Sequence, residues 1–195
     1  FRGEEYRRWD PTRSKLGAGL SRARNTQYEL LPDEGDTCLY LGAGHGTSIS
    51  HLHDHVCGAN NEKGGRIIAV DLSPRCLRDL VHLSTLRPGL VPVLGDARKH
   101  AAWGIMVSNK VDWLLQDVSQ AGQADIFIKA VKRFLKPGGK GLLSLKAASE
   151  RFSEGGEREV FRQVRTQLED AGLNIEEQID LHGLEDNHCL YYVTN

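Results

Sequence analysis

The chain has 195 residues, a net charge of −1, 39% hydrophobic residues and 26% charged residues. That balance fits one folded domain with a real core and excludes a disordered, collagenous or coiled-coil chain, and no apolar run approaches the ~20 residues that a membrane-spanning helix needs. The charge is uneven: residues 1–24 carry seven basic and three acidic groups, residues 125–150 six and two, and residues 151–195 four and ten, so the two basic blocks are candidates for one anion-binding face.

Residues 1–9 are charged with no apolar segment behind them, which predicts no secretion signal and an intracellular chain. The four cysteines, Cys38, Cys57, Cys76 and Cys189, form no C-x-x-C pair and read as reduced thiols. Asp10-Pro11 predicts a turn, and Thr12 or Ser14 can cap a helix over residues 16–24. Residues 1–35 read as a small N-terminal segment carrying that helix, and residues 36–195 as the main domain. Strand-like and helix-like segments then alternate. Residues 38–41, 66–70, 90–94, 111–115 and 141–145 predict strands, and residues 47–56, 73–83, 123–135 and 157–171 predict helices. Lys136-Pro137-Gly138-Gly139 is expected to stop the third of these helices. Two closing strands, 173–181 and 189–193, are joined by a turn at residues 183–187. About seven strands result, in a mainly parallel sheet covered on both faces and ending in an antiparallel hairpin.

The strongest local signal is Leu39-Tyr40-Leu41-Gly42-Ala43-Gly44-His45-Gly46-Thr47, an apolar strand running through Gly42, Gly44 and Gly46 into a helix. Glycine permits the sharp turn and close ligand approach, and a helix start offers free N–H groups. Asp71 ends the second strand and can accept from two ribose hydroxyls. Asp96, in Gly95-Asp96-Ala97, follows the third and can accept from an adenine amino group. This layout is similar to that of S-adenosylmethionine-dependent methyltransferases, with a nicotinamide dinucleotide or ordinary strand-end turns as alternatives. Asp117 and Lys146 end the fourth and fifth strands. A lysine behind an apolar strand is expensive unless paired, so Lys146 is expected to pair with Asp117. Lys15 on the first helix and His188 at the start of the last strand complete the candidate set. Such cations can stabilise a developing ribose alkoxide, and a lysine whose pKa is depressed by burial and a neighbouring cation can take its proton. His51-Leu52-His53-Asp54-His55 departs from hydrolase metal spacing, and only His51 and His55 share a helix face, so no metal is expected. The acidic stretches 154–159 and 169–177 read as solvated faces, and Trp9 and Trp103 as core.

Taken together, Tyr6-Arg7-Arg8-Trp9-Asp10-Pro11-Thr12-Arg13-Ser14-Lys15, the glycine loop through His51, Val70-Asp71-Leu72-Ser73, Gly95-Asp96-Ala97-Arg98, Asp117-Val118-Ser119-Gln120, Leu145-Lys146-Ala147 and Asp186-Asn187-His188 resemble the fibrillarin family, including its archaeal fibrillarin-like members, over most of the chain. The resemblance implies an α/β, Rossmann-like fold and ribose 2′-O-methylation of rRNA or tRNA from S-adenosylmethionine. It implies a box C/D ribonucleoprotein with a guide RNA, a Nop-domain scaffold protein and a kink-turn-binding ribosomal-type protein. It assigns Lys15, Asp117, Lys146 and His188 to catalysis. Thr47, Ser48, Asp71, Leu72, Asp96, Ala97, Asp117, Val118, Ser119 and Gln120 become cofactor contacts. The sequence departs from the family at His45, at Asp71 where glutamate is usual, and at Asp186-Asn187 where Arg-Asp is common. It shows no glycine-arginine-rich tail, so an archaeal-type, cytoplasmic protein is expected; a eukaryotic one would be nucleolar.

Overall fold

The computed structural model describes residues 6–150 and 156–195; the first five residues of the charged N-terminal segment and Glu154 of the acidic stretch lie outside them. Asp10 caps a short 3-10 turn at Pro11–Arg13, and the Ser14 hydroxyl accepts from the Gly17 N–H at 3.1 Å to start α1, Lys15–Arg22. Ser14 rather than Thr12 is therefore the cap. The helix stops two residues earlier than the sequence predicts. The next amides, Arg24, Asn25 and Thr26, donate instead to the Glu177 carboxylate at 2.8–3.3 Å. Glu177 thus leaves the solvated face expected for residues 169–177. Burial raises its pKa, but the Thr26 hydroxyl and these amides outweigh burial and hold it below the usual range.

The elements that follow are β1 (Thr37–Leu41), α2 (Thr47–Val56), β2 (Arg66–Asp71), α3 (Pro74–Leu86), β3 (Leu90–Leu94), α4 (His100–Trp103), β4 (Val111–Gln116), α5 (Gln123–Phe134), β5 (Leu135–Lys146), α6 (Gly156–Asp170), β6 (Asn174–Asp180) and β7 (His188–Thr194). They build a seven-stranded sheet in the order β3-β2-β1-β4-β5-β7-β6. The first five strands are parallel, and β7 runs antiparallel to both β5 and β6. Beyond small shifts of element ends, such as α3 running to Leu86, two differences stand out. The short helix α4 was not foreseen, because four residues are too few to show a period. β5 begins six residues early: Leu135 pairs with Val111, residues 136–139 bulge out, and pairing resumes at Lys140↔Trp113. Lys136-Pro137-Gly138-Gly139 ends α5, but as a bulge inside a strand.

Strand alternation divides the core. Leu39, Leu41, Leu114, Leu143, Leu145 and Tyr191 face α5 and α6. Tyr40, Trp113, Leu115, Leu142, Leu190 and Tyr192 face the other way, onto α1 and α2. Two buried polar tips find carbonyls: Trp113 Nε1 donates to the Leu30 carbonyl at 2.9 Å and the Tyr191 hydroxyl to the Phe161 carbonyl at 2.7 Å. Trp103 is buried and stacks on Phe134, while Trp9 stacks on His51 at 4.9 Å. Leu16 is wholly buried in the α1-side core. Leu16→Ala is expected to cost about 2–5 kcal/mol, read as a lowered urea midpoint.

Candidate active site

β1 has β2 on one side and β4 on the other, so the chain reverses its winding there and a crevice opens at the carboxyl ends of the two strands. The crevice is a cleft of about 500 Å³. Gly42, Gly44, Thr47, Ser48, Asp71, Leu72, Ala97, Asp117, Val118, Ser119 and Gln120 line it, as do Arg13, Lys15, Tyr40, Ala43, His45, Val70 and Gly95. Gly46, Asp96, Lys146 and His188 do not belong to its lining.

Two glycines have different work. A Cβ on Gly42 would stand 2.1 Å from the Asp117 carbonyl oxygen, so β1 and β4 can end this close only with glycine there. At Gly44, with φ +58°, a Cβ would meet nothing within 4 Å, which leaves open space above the loop. Gly46, at φ +90°, packs against Leu80 and Leu83 instead and starts α2. Asp71 braces the loop: its Oδ2 accepts from the Gly44 N–H and its Oδ1 from the Ser73 N–H, both at 2.8 Å. Each oxygen keeps a lone pair for a ligand hydroxyl. An open glycine cradle, a braced carboxylate and the apolar walls Val70, Leu72 and Val118 suit an adenosine-type cofactor such as S-adenosylmethionine.

Asp96 stands differently from expectation. Arg98 forks onto it, Nη2 to Oδ2 at 2.7 Å and Nε to Oδ1 at 3.0 Å, and the Arg98 N–H adds 2.9 Å. These bonds outweigh desolvation and hold its pKa down to about 2. Asp96 is not among the lining residues, whereas its neighbours Gly95 and Ala97 are. His45 lines the cleft, but its ring leans onto α3, Nδ1 to Asp79 at 2.6 Å and Nε2 to Cys76 Sγ at 3.7 Å. In the histidine-rich helix α2, His51 stacks on Trp9, His53 bonds the Pro88 carbonyl and His55 the Pro32 carbonyl, each at 2.8 Å for the latter two.

The candidate catalytic residues fall on the α1 side of the sheet by strand alternation. Lys15 Nζ pairs with Asp117 Oδ2 at 3.5 Å. Burial raises the Asp117 pKa, and the charges of Lys15 and His188 offset this only in part. Lys146 and His188 face each other in the β5–β7 register. His188 Nδ1 donates to the Asp186 carbonyl at 2.8 Å, which leaves Nε2 as the basic nitrogen. Asn187 holds φ +61°, a left-handed turn that asparagine adopts readily, which accounts for the residue at that place. The expected Lys146–Asp117 ion pair is not formed. One half-buried carboxylate needs one cation, and Lys15 supplies it; Lys146 is also half-buried and makes no ion pair among the described residues. Sequence reading also missed Arg13 and Tyr40. Tyr40 was legible in principle, because Tyr40 and Asp117 fall on the same sheet face by alternation.

The fibrillarin family model matches residues 1–195. A fibrillarin-like rRNA/tRNA 2′-O-methyltransferase of Thermococcus gammatolerans is 40% identical over 193 residues, covering 99% of this chain and 80% of its own. Aeropyrum pernix fibrillarin, solved with natively bound S-adenosyl-L-methionine, superposes with TM-score 0.82 at 33% identity, over 100% of this chain and 80% of the other. Fibrillarin from a fibrillarin/Nop5p complex gives TM-score 0.82 at 31% identity, over 98% of this chain and 86% of the other.

The Asp117 carboxyl makes a stability prediction. Its pKa is raised by folding, so the folded state holds that proton more tightly than the unfolded chain does. Stability is therefore lost as pH rises from the ordinary carboxyl value, about 4, up to the folded value. Asp117→Asn lacks this loss. It is expected to melt above the parent at neutral pH, with the gap narrowing toward pH 4, as followed by thermal unfolding across that range.

Proposed function

The chain belongs to the fibrillarin family, and from that premise we propose that it methylates ribose 2′-hydroxyls of rRNA and tRNA as the catalytic subunit of an RNA-guided box C/D ribonucleoprotein. The observation that carries this reading is the half-buried Lys15–Asp117 pair, 3.5 Å apart in the cleft that the glycine loop and Asp71 enclose. The chemistry supplied by bound S-adenosylmethionine is an electrophilic methyl group on a sulfonium. Gly42 and Gly44 let backbone approach it, Asp71 accepts from its ribose hydroxyls, and residues 118–120 wall its base. The structure of Asp96 supports a bracing role through Arg98 for the Gly95–Ala97 wall, in place of a direct contact.

On the acceptor side, Lys15 and Lys146 place positive charge beside a ribose 2′-oxygen and favour its alkoxide. The 2′-oxygen attacks the methyl carbon, the carbon–sulfur bond breaks, and the 2′-proton leaves to His188 Nε2. No covalent enzyme intermediate is needed, only alignment of oxygen, carbon and sulfur. Asp117 holds Lys15 in place. The fibrillarin/Nop5p structure supports a Nop-domain scaffold as the docking partner. A guide RNA and a kink-turn-binding protein complete the proposed particle.

Two measurements test this. Calorimetric titration should give saturable binding of S-adenosylmethionine and none of NAD. In a reconstituted guide-RNA particle, Lys146→Ala should lower single-turnover methyl transfer by about 10²–10³-fold while leaving cofactor affinity unchanged. Guided methylation at the parental rate in Lys146→Ala would sink the mechanism.

A further inference from the structure

β5 outruns its parallel neighbour. β4 pairs as far as Gln116↔Leu143, so on that side of β5 the backbone of Lys146 has no strand to bond. On the other side Ala147 N–H reaches the Asn187 carbonyl at 3.0 Å, so Lys146 itself points its N–H and carbonyl toward the empty side. The side chain of Gln123 fills the gap. Its Oε1 accepts from the Lys146 N–H at 3.0 Å, and its Nε2 donates to the Lys146 carbonyl at 3.0 Å. One amide thereby replaces one rung of a β-ladder. Gln123 is wholly buried, and a flipped amide would set its NH2 against the Lys146 N–H, so the register has one solution.

The clamp is braced from two directions. Glu150 Oε1 accepts from Gln123 Nε2 at 3.1 Å and from the Gln123 N–H at 2.9 Å, and Oε2 accepts from the Gly122 N–H at 3.0 Å. This carboxylate anchors the clamp and neutralises the free amides at the start of α5. Gln116, the residue before Asp117, is also wholly buried, and its Nε2 donates to the Gln123 carbonyl at 2.8 Å. A single residue at the head of α5 is thus bonded to the backbone of Lys146 and to the neighbour of Asp117.

We infer that Gln123, braced by Glu150 and tied to Gln116, is a positioning residue that sets where Lys146 stands relative to Asp117. The inference rests on the catalytic reading of Lys146 given above. Gln123 is not part of the cleft lining. It acts through the backbone of β5, and a misplacement of about 1 Å at a reacting group costs roughly 10²-fold in rate.

The test is a double-mutant cycle in the reconstituted guide-RNA particle, with single-turnover methyl transfer and cofactor calorimetry as paired readouts. Gln123→Met keeps the volume and removes the amide. It is expected to lower the rate by about ten- to a hundred-fold, leave the dissociation constant for S-adenosylmethionine unchanged, and cost nothing further in a Lys146→Ala background. Three results overturn it: a parental rate in Gln123→Met, a matching loss of cofactor affinity, or a rate loss that repeats in full on Lys146→Ala. If Gln123→Met does not fold, Glu150→Gln, which keeps the shape and removes the charge, goes through the same cycle and should show the same dependence on Lys146 at smaller amplitude. A parental rate in Lys146→Ala alone overturns the catalytic reading itself, whereas full additivity with a slow Lys146→Ala overturns only the role of Gln123.

Discussion

A carboxylate drawn largely out of water at the end of a strand must find a cation or tend to lose its charge. Asp117 is that group, and much of the molecule is arranged around it. Its backbone N–H donates to the Leu41 carbonyl at 2.8 Å, and its own carbonyl leaves no room for a side chain on Gly42. The glycine loop therefore begins where it does because β1 and β4 end in contact. The cation comes from outside the sheet, as Lys15, and Lys15 can be held there only if α1 is fixed. Three features fix it: the Ser14 cap, a 2.8 Å bond between the Ser14 and Ser48 hydroxyls that joins the starts of α1 and α2, and Leu16 in the core. The N-terminal helix is thus tied to the electrostatics of the site.

Alternation along the strands does the sorting. Tyr40, Asp117, Ser144, Lys146 and His188 all fall on the face that carries Trp113, Leu115, Leu142 and Leu190. Polar groups gather at the carboxyl end of that face and apolar ones below. The antiparallel turn of β7 is what admits His188. In a parallel strand the first residue would lie at the opposite edge of the sheet; here it stands across from the last residue of β5, as the Lys146↔His188 register shows. The other face holds the buried amides Gln116 and Gln123, which connect the strand ends from beneath.

Glycine spacing, apolar runs and strand ends are local properties, so residues 39–47, Asp71 and Asp117 could be placed from sequence. Helix α2 and strand β3 have the boundaries that their patterns predict. What the pattern could not carry were pairings between distant segments. Glu177 looks like one acid among many, yet it receives the amides that follow α1. Asp96 lies where a ligand acid belongs, yet Arg98, two residues on, occupies it. Lys146 and Asp117 end adjacent strands, and nothing in the linear sequence says that a lysine from residue 15 reaches the acid first. The bulge in β5 was hidden because Pro137 and Gly138 signal a chain break with the same residues that form a bulge.

The charge distribution bears on how an RNA substrate is recognised. A protein that grips nucleic acid alone neutralises several phosphates with a broad cationic surface. This chain has a net charge of −1, and its most acidic stretch, residues 151–195, includes the two strands that carry His188 to the site. The cations that reach the cleft, Arg13 and Lys15, are few, and Lys15 is already committed to Asp117. So little free positive charge suits the reacting nucleotide and not a long RNA. On the reading proposed here, affinity and sequence choice belong to the guide RNA and the scaffold proteins. This chain contributes the cofactor cradle and a small group of side chains whose spacing the strand ends and their buried amides hold.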